Sequence, residues 1–500
     1  MSTETVEQPT ATEQPTAITF RSEDVPLSQL ISHPGNVRED LKITDRFRRS
    51  IRKRLRTPLL VTPMPDGNYK VIDGHRRLLV MIEDKWPTAP VVIDDDRAED
   101  EAGQFLDMVT TAEQREGLTT REKAAALFSA AELGADAKRM AAETGWTQKD
   151  VKTAVKVGGA TKTAEVAKSV DYEWTLDELS DLAEFEGEPE VLAELATAAK
   201  EGTFKWAVRR IRNEREEAAK LAKEREELMA AGITVIDSRE NLPEKATPVD
   251  KLRTHDGKRI KDEEHTQCKG HAMAPGQYDN DWTAYCLNPA LNDHTVYSYS
   301  ASSSTTGKPD KAVLKRTIQG NKHYKAATQV RREWLKQWMT RKTFPKDAQV
   351  IMGRFAAESA LRGDDLATGG ITHEDGSRLL RDWLGIADAS RAGTMMPDIV
   401  AQADARRLFL FPFMAVVASY EKATGHKDNR AWRTDSQGPS EYTRKRLGAY
   451  LAVLASLGHQ VTPIEQAIID GVSYDGTEHA AKVATETAQE SGQDQLTDEQ

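Results

Sequence analysis

The chain has almost no cysteine. Two occur in 500 residues, Cys268 and Cys286, which excludes a disulfide framework and suits a reducing cytoplasm. It has no long apolar run. The most apolar stretch, residues 408–418, is too short to span a bilayer and contains Pro412, so it reads as a buried helix segment and no membrane role is expected. The N-terminus carries no basic, apolar leader of the secretory kind. Positive charge is not in surplus either. The net charge is −11, so bulk attraction to nucleic acid is excluded and any such surface must be a local basic patch on an acidic body. No internal repeat is visible.

What is present is length and charge. A chain of 500 residues exceeds one ordinary core, which implies three or four domains. Hydrophobic residues make up 38% and charged residues 30%, as in a protein with much exposed helix. Residues 1–18 and 478–500 are polar, with little to bury, and read as a disordered arm and tail.

One stretch organises the first hundred residues. Tyr69–Ile72 reads as a strand, Asp73-Gly74 as a turn, and His75-Arg76-Arg77 as the opening of a helix. Glycine there permits close approach of a ligand, and the first amides of a helix attract anions. Two arginines suit that end of a helix poorly unless a phosphate is near. The plainer alternative is a strand–turn–helix with solvated arginines. Residues 42–56 give a basic helix with Arg49, Arg52 and Lys53 among its cations and Ile43, Phe47, Ile51 and Leu55 as its apolar stripe. Its charges are either a solvated face or a surface near DNA.

Further on, Ala137–Trp146 has the small residues and glycine turn of a helix-turn-helix, with Ala141 at the helix approach and Gly145 at the turn. Thr147 caps the second helix, and Val151 and Val155 face inward. The first residues of such a helix meet base edges, which nominates Thr147, Gln148, Lys149 and Lys152. A helical hairpin without DNA contact is the alternative. Trp174–Ala199 is an acidic helix pair, and a long charged helix runs from Thr203 to about Ala231, read as a solvated connector.

Residues 233–300 change to short β-branched runs. Both cysteines and His255, His265, His271 and His294 fall within this segment. Thiolates with imidazoles suit tetrahedral zinc, here Cys268, His271, Cys286 and, ahead of His265, His294. Four protein ligands make the site structural. Unrelated histidines and two buried thiols are the alternative. Ser298–Thr306 reads as a linker. Residues 311–475 are helical, with Val330, Trp334 and Trp338 as a buried stripe and Thr462-Pro463 as a helix start.

Several of these segments together resemble the ParB/RepB family of partition proteins, in order over roughly the first 230 residues. Val25-Pro26-Leu27-Ser28-Gln29-Leu30, His33-Pro34-Gly35-Asn36-Val37-Arg38, Pro58-Leu59-Leu60-Val61, Gly74-His75-Arg76-Arg77 and Leu118–Ala124 carry the resemblance. Stretches such as Val330–Leu335 and Arg341-Lys342-Thr343 look like the C-terminal regions of long actinobacterial and phage relatives. The resemblance over the first 230 residues, with the residue readings beyond them, implies an α+β multidomain chain. Its parts are a small ParB/sulfiredoxin-like α/β domain (19–118), an all-α helix-turn-helix domain (119–212), a charged connector (213–232), a small zinc module (233–300), a linker (301–310) and an all-α C-terminal domain (311–477). It implies binding of double-stranded DNA, a homodimer, and CTP held by Arg38, Gly74, His75, Arg76, Arg77 and Arg115.

The family's Glu-Asn pair, which holds magnesium, corresponds to Thr111 and Ala112, and this argues against Mg2+ and leaves at most weak CTP hydrolysis. The acidic N-terminal arm argues against a ParA-type ATPase partner. The implied role is DNA partition in a plasmid or phage, in the cytoplasm and on the nucleoid. A ParB-like transcriptional regulator is the second reading. A nuclease ranks lower because the motifs are rich in arginine rather than carboxylate. Sulfiredoxin chemistry is excluded because no cysteine precedes Cys268.

Overall fold

A computed structural model describes residues 20–36, 43–113, 118–276, 281–297, 311–362, 365–368, 374–387, 392–424 and 430–476. The arm at 1–18, Arg38, Gln114-Arg115, the Ser/Thr linker and the tail from 478 lie outside the described residues. The chain divides into two units, residues 1–201 and 202–500.

The first unit begins with strands β1 (Arg21–Pro26), β2 (Leu30–Ser32), β3 (Leu59–Pro63), β4 (Tyr69–Asp73) and β5 (Thr88–Ile93) in the order β1-β5-β3-β4-β2. The β3–β4 hairpin turns through Asp66-Gly67, where Gly67 has φ 83° and Met64 receives the Gly67 amide at 3.1 Å. That left-handed angle is what glycine supplies at low cost. β1 pairs antiparallel with β5, and β3 runs parallel to β5. The mixed sheet buries Val25, Leu30, Leu59, Val61, Val71, Val91 and Ile93 against Leu78 and Met81.

Helix α1 (Asp45–Lys53) is capped by Thr44, whose hydroxyl accepts the Phe47 amide at 3.2 Å, and it is shorter than the basic run because Arg54 is already extended. Helix α2 (His75–Glu83) follows β4 directly. Then come α3 (Glu101–Glu113), α4 (Thr120–Glu132), α5 (Ala137–Thr144), α6 (Gln148–Gly158), α7 (Thr161–Lys168), α8 (Leu176–Ala183) and α9 (Pro189–Lys200). Capping boxes at Thr119/Glu122 and Thr175/Glu178 start α4 and α8. Helices α4 and α6 approach at Gly158, where a Cβ would lie 2.3 Å from the Ala124 carbonyl oxygen.

The second unit opens with α10 (Phe204–Ala230). Its first half is packed rather than solvated: Phe204, Ala207, Val208 and Ile211 are buried, and Asn213 bonds Gln329 at 2.8 Å. Strands β6 (Thr234–Val235), β7 (Thr247–Pro248), β8 (Leu252–Arg253), β9 (His271–Pro275), β10 (Trp282–Cys286) and β11 (Thr295–Val296) form a four-stranded sheet, β6-β9-β10-β7, and a two-stranded one, β11-β8. A single turn, α11 (Asp262–His265), lies between them in sequence.

The remaining helices are α12 (Lys311–Met339), α13 (Lys346–Arg362), α14 (Asp365–Thr368), α15 (Glu374–Leu384), α16 (Ala392–Ala401), α17 (Leu410–Thr424), α18 (Glu441–Ser456) and α19 (Pro463–Asp470). Pro412 sits in the first turn of α17, where its missing N–H costs no bond. The buried stripe of α12 keeps Trp338 of the expected set but not Val330 or Trp334. It runs through Tyr324, Ala327, Arg331, Leu335 and Trp338, with Val330 and Trp334 half-buried. Burial of Arg331 shifts the stripe by one residue. Among the described residues no helix is long and apolar enough to cross a membrane.

Candidate nucleic-acid interface

The β4–α2 junction uses its arginines in two directions. Gly74 has φ 104°, and a Cβ there would lie 2.5 Å from Leu59 and 2.9 Å from Nη2 of Arg77. Glycine therefore serves packing of the turn as well as its backbone angle. Successive helix residues rotate by about 100°, so the two arginines diverge. Arg77 turns inward with Leu78 and Met81: its Nη1 donates to the carbonyls of Thr57 and Pro58 at 2.6 and 2.7 Å, and its Nη2 to Asp73 at 2.7 Å. Arg77 thus braces the junction. His75 is buried beside it, whereas Arg76 is half-buried with its guanidinium 4.4 Å from the centre of the Phe47 ring. On α3 the Thr111 hydroxyl donates to the Asp107 carbonyl at 2.6 Å.

The hairpin expected at 137–158 is present as α5, a turn at Gly145 (φ 76°), and α6. Its inner side is made by Met140, Thr144, Val151, Ala154 and Val157. Val151 is buried as expected, whereas Ala141 and Val155 are half-buried and their neighbours Met140 and Ala154 take the inner positions. The outer side of α6 carries Gln148, Lys149, Lys152 and Lys156, all exposed. Lysines at i, i+3 and i+7 share one helix face. Thr147 is exposed, but its hydroxyl accepts the Asp150 amide at 3.1 Å and donates to the Asp150 carboxylate at 2.7 Å. It is the helix cap, and the polar atoms facing outward come from the residues after it.

The first helix of this hairpin is tied to the β-domain by a network that sequence reading missed. Arg97 donates to both oxygens of Asp107 at 2.8 and 3.0 Å, to Asp100 at 2.7 Å and to Glu143 of α5 at 2.8 Å. Arg139 of α5 returns to Glu143 at 2.7 Å and to Asp100. Burial pushes the Asp107 carboxyl up, in spite of Arg97. Individually these residues look like solvated charges, and only the fold brings them together.

Helix α1 is less basic in space than in sequence. Arg52 makes a two-pronged bond to Asp84, at 2.8 and 2.6 Å, and Arg48 binds Glu83. The Arg52 bond holds the Asp84 carboxyl below its usual range. Arg49 and Lys53 are exposed.

In the second unit, Nε2 or Nδ1 of His265 and His294 and Sγ of Cys268 and Cys286 all lie within 4.8 Å of one another. His271, placed in the metal set from its spacing, is not in this group. It is the first residue of β9, paired opposite Cys286 on β10, and its Nδ1 lies 2.8 Å from Nδ1 of His265. Strand pairing holds it at the edge of the site, and α11 brings His265 into the place expected for it.

No family model matches the chain, and no curated protein matches it. Among solved structures it is similar to C-terminally truncated ParB from Caulobacter crescentus in complex with the centromeric parS site. That likeness has 18% identity and a TM-score of 0.25, and covers 35% of this chain and 91% of that one. The pNOB8-like ParB N-domain matches at 15% identity and a TM-score of 0.26, over 37% of this chain and 82% of that one. The Caulobacter protein complexed with CTP-γ-S matches at 18% identity and a TM-score of 0.17, over 37% and 97% of the two chains.

Proposed function

We propose that this chain is a sequence-specific double-stranded-DNA-binding protein of the ParB class, acting as a homodimer in the partition of plasmid or phage DNA. The observation that carries the reading is α6. It follows a glycine turn, is capped by Thr147, and presents Gln148, Lys149, Lys152 and Lys156 to solvent on a chain of net charge −11. A recognition helix reads bases through its first residues in the major groove. The amide of Gln148 can meet an adenine edge with two bonds, while the lysines neutralise phosphates and set the register. Arg49 and Lys53 extend the basic surface, and Arg52 contributes through Asp84 to the fold.

The nucleotide of this reading is CTP. Arg76 and the amides of the Gly74-His75 turn meet its phosphates, with Arg38 and Arg115 completing the cation set. Thr111 and Ala112 bring no carboxylate, so magnesium adds little, and turnover is weak or absent. Nuclease activity is not expected, because metal-dependent cleavage needs clustered carboxylates.

The test is sequencing of the DNA fragments retained by the full chain, with and without CTP. A single enriched site supports specific binding, and enrichment that spreads into flanking DNA on adding CTP supports a clamp. Uniform retention of all fragments overturns the reading. Calorimetric titration with the four nucleoside triphosphates tests the pocket, and equal, negligible binding of all four removes it.

A further inference from the structure

The group His265, Cys268, Cys286 and His294 has the chemistry of a closed metal site. Nε2 of His265 and Nε2 of His294 are both buried and meet no hydrogen-bonding partner. A buried polar atom left so is costly unless something else occupies its lone pair. The other nitrogen of His265 faces His271 at 2.8 Å. If Nδ1 of His265 carries the hydrogen and donates it to His271, its Nε2 is left as a bare lone pair in a group whose ligand atoms lie within 4.8 Å of one another. The sulfurs are dressed as metal-bound thiolates are. The Gly270 amide donates to Sγ of Cys268 at 3.4 Å, and Nδ2 of Asn292 to Sγ of Cys286 at 3.6 Å.

The turn is built around these atoms. The His271 amide returns to the Cys268 carbonyl at 2.9 Å, and a Cβ on Gly270 would lie 2.5 Å from Asn292 and 3.0 Å from the Cys286 sulfur. Glycine is needed there so that the backbone can pass the site. The surrounding module also needs a staple. Its buried apolar cluster is Val249, Leu252, Ile260, Ala284 and Cys286, small for a segment with such short strands.

We infer that these four side chains bind one structural zinc ion, and that His271 is a positioning residue which orients His265. Two thiolates and two neutral imidazoles balance the charge of Zn2+, so the complex is neutral and suits its buried place. Soft sulfur with imidazole favours zinc over magnesium or calcium. Four protein ligands leave no position for substrate. This inference stands apart from the DNA-binding reading and does not depend on it.

The test uses the full chain, purified without chelator. Metal analysis is expected to give one zinc per chain. Exchange for cobalt should give the absorption of a tetrahedral ion with thiolate-to-metal charge transfer, which reports sulfur ligation without any variant. His265→Ala and His294→Ala should each lose that spectrum. His271→Ala should keep one metal and the tetrahedral bands, with affinity lower by about 10- to 100-fold, as for a residue that orients a ligand. A chain that holds no zinc and takes up no cobalt overturns the inference. So does a mass deficit showing a Cys268–Cys286 disulfide. Retention of the spectrum in His265→Ala with its loss in His271→Ala overturns the ligand set.

Discussion

Nη2 of Arg77 donates to the carboxylate of Asp73, four residues back at the end of β4, at 2.7 Å, while Nη1 of the same side chain joins two carbonyls at Thr57 and Pro58. This one guanidinium ties the end of β4, the start of α2 and the approach to β3. Arg77→Ala should therefore destabilise the first unit by about 2–3 kcal/mol, since it strands partly buried acceptors. Arg76→Ala removes a contact with Phe47 worth about 0.5–1 kcal/mol; it should cost less stability than Arg77→Ala and weaken CTP binding more. Urea unfolding and titration calorimetry on both variants separate the roles. Equal stability losses in the two would contradict the assignment.

Arg52 and Lys53 are neighbours with different expected effects. Arg52 is engaged by Asp84, and Lys53 is exposed. Lys53→Ala should lower DNA affinity and reduce the salt slope by about one unit, as loss of a phosphate contact does. Arg52→Ala should leave the slope nearly unchanged. Binding isotherms at several salt concentrations decide this, and a larger slope change for Arg52 would contradict it.

In the second unit Arg331 is fully buried. It donates to Glu421 at 2.5 Å and to Glu465 at 2.5 Å, and Tyr450 adds a bond to Glu421 at 2.8 Å. Arg331→Met fills similar space but takes the central cation from two buried carboxylates, leaving Glu421 to Arg332 at 3.0 Å and Glu465 to His459 at 3.2 Å. The expected loss is about 3–5 kcal/mol, read from chemical denaturation. A change under about 1 kcal/mol, the median for a surface pair, would show that the network carries little.

Acid should weaken this unit in two stages. Burial, helped by Arg210 and Lys322, lowers the His323 pKa from 6.5 to about 4. The folded state keeps His323 neutral, so its contribution is intact above pH 6.5 and is lost as pH falls toward 4. The loss is on the order of 3 kcal/mol. Glu465 is opposed by burial but held by His459 and Arg331, and its pKa falls from 4.5 to about 2. Its contribution is present above 4.5 and disappears as pH falls toward 2. His323→Asn should flatten the first stage only. Identical pH profiles for parent and variant would contradict the assignment.

Much of the local structure in both units could be read from the sequence. Asp73-Gly74 after a β-branched run marks the β4–α2 turn, Gly145 with Thr147 marks the hairpin, and Thr462-Pro463 with Glu465 builds the cap of α19. Each is a local signal, in which residue type fixes a backbone angle or satisfies an amide. Partner choice was not legible. Arginine in a helical pattern reads as exposed, and Arg331 is buried because acids from two distant helices surround it. His265 and His271 flank Cys268 at the same separation, so spacing alone cannot rank them. The pairing of β9 with β10 does.

The central claim rests on α6. The direct measurement is equilibrium binding of the parent and Gln148→Ala to the selected DNA site and to a random duplex of equal length, at matched salt. The parent should prefer its site by about a thousandfold or more. Gln148→Ala should lose about 1–3 kcal/mol of that preference while keeping most of its non-specific affinity. If Gln148→Ala discriminates as the parent does, or if the parent shows no preference for any site, α6 is not the recognition helix.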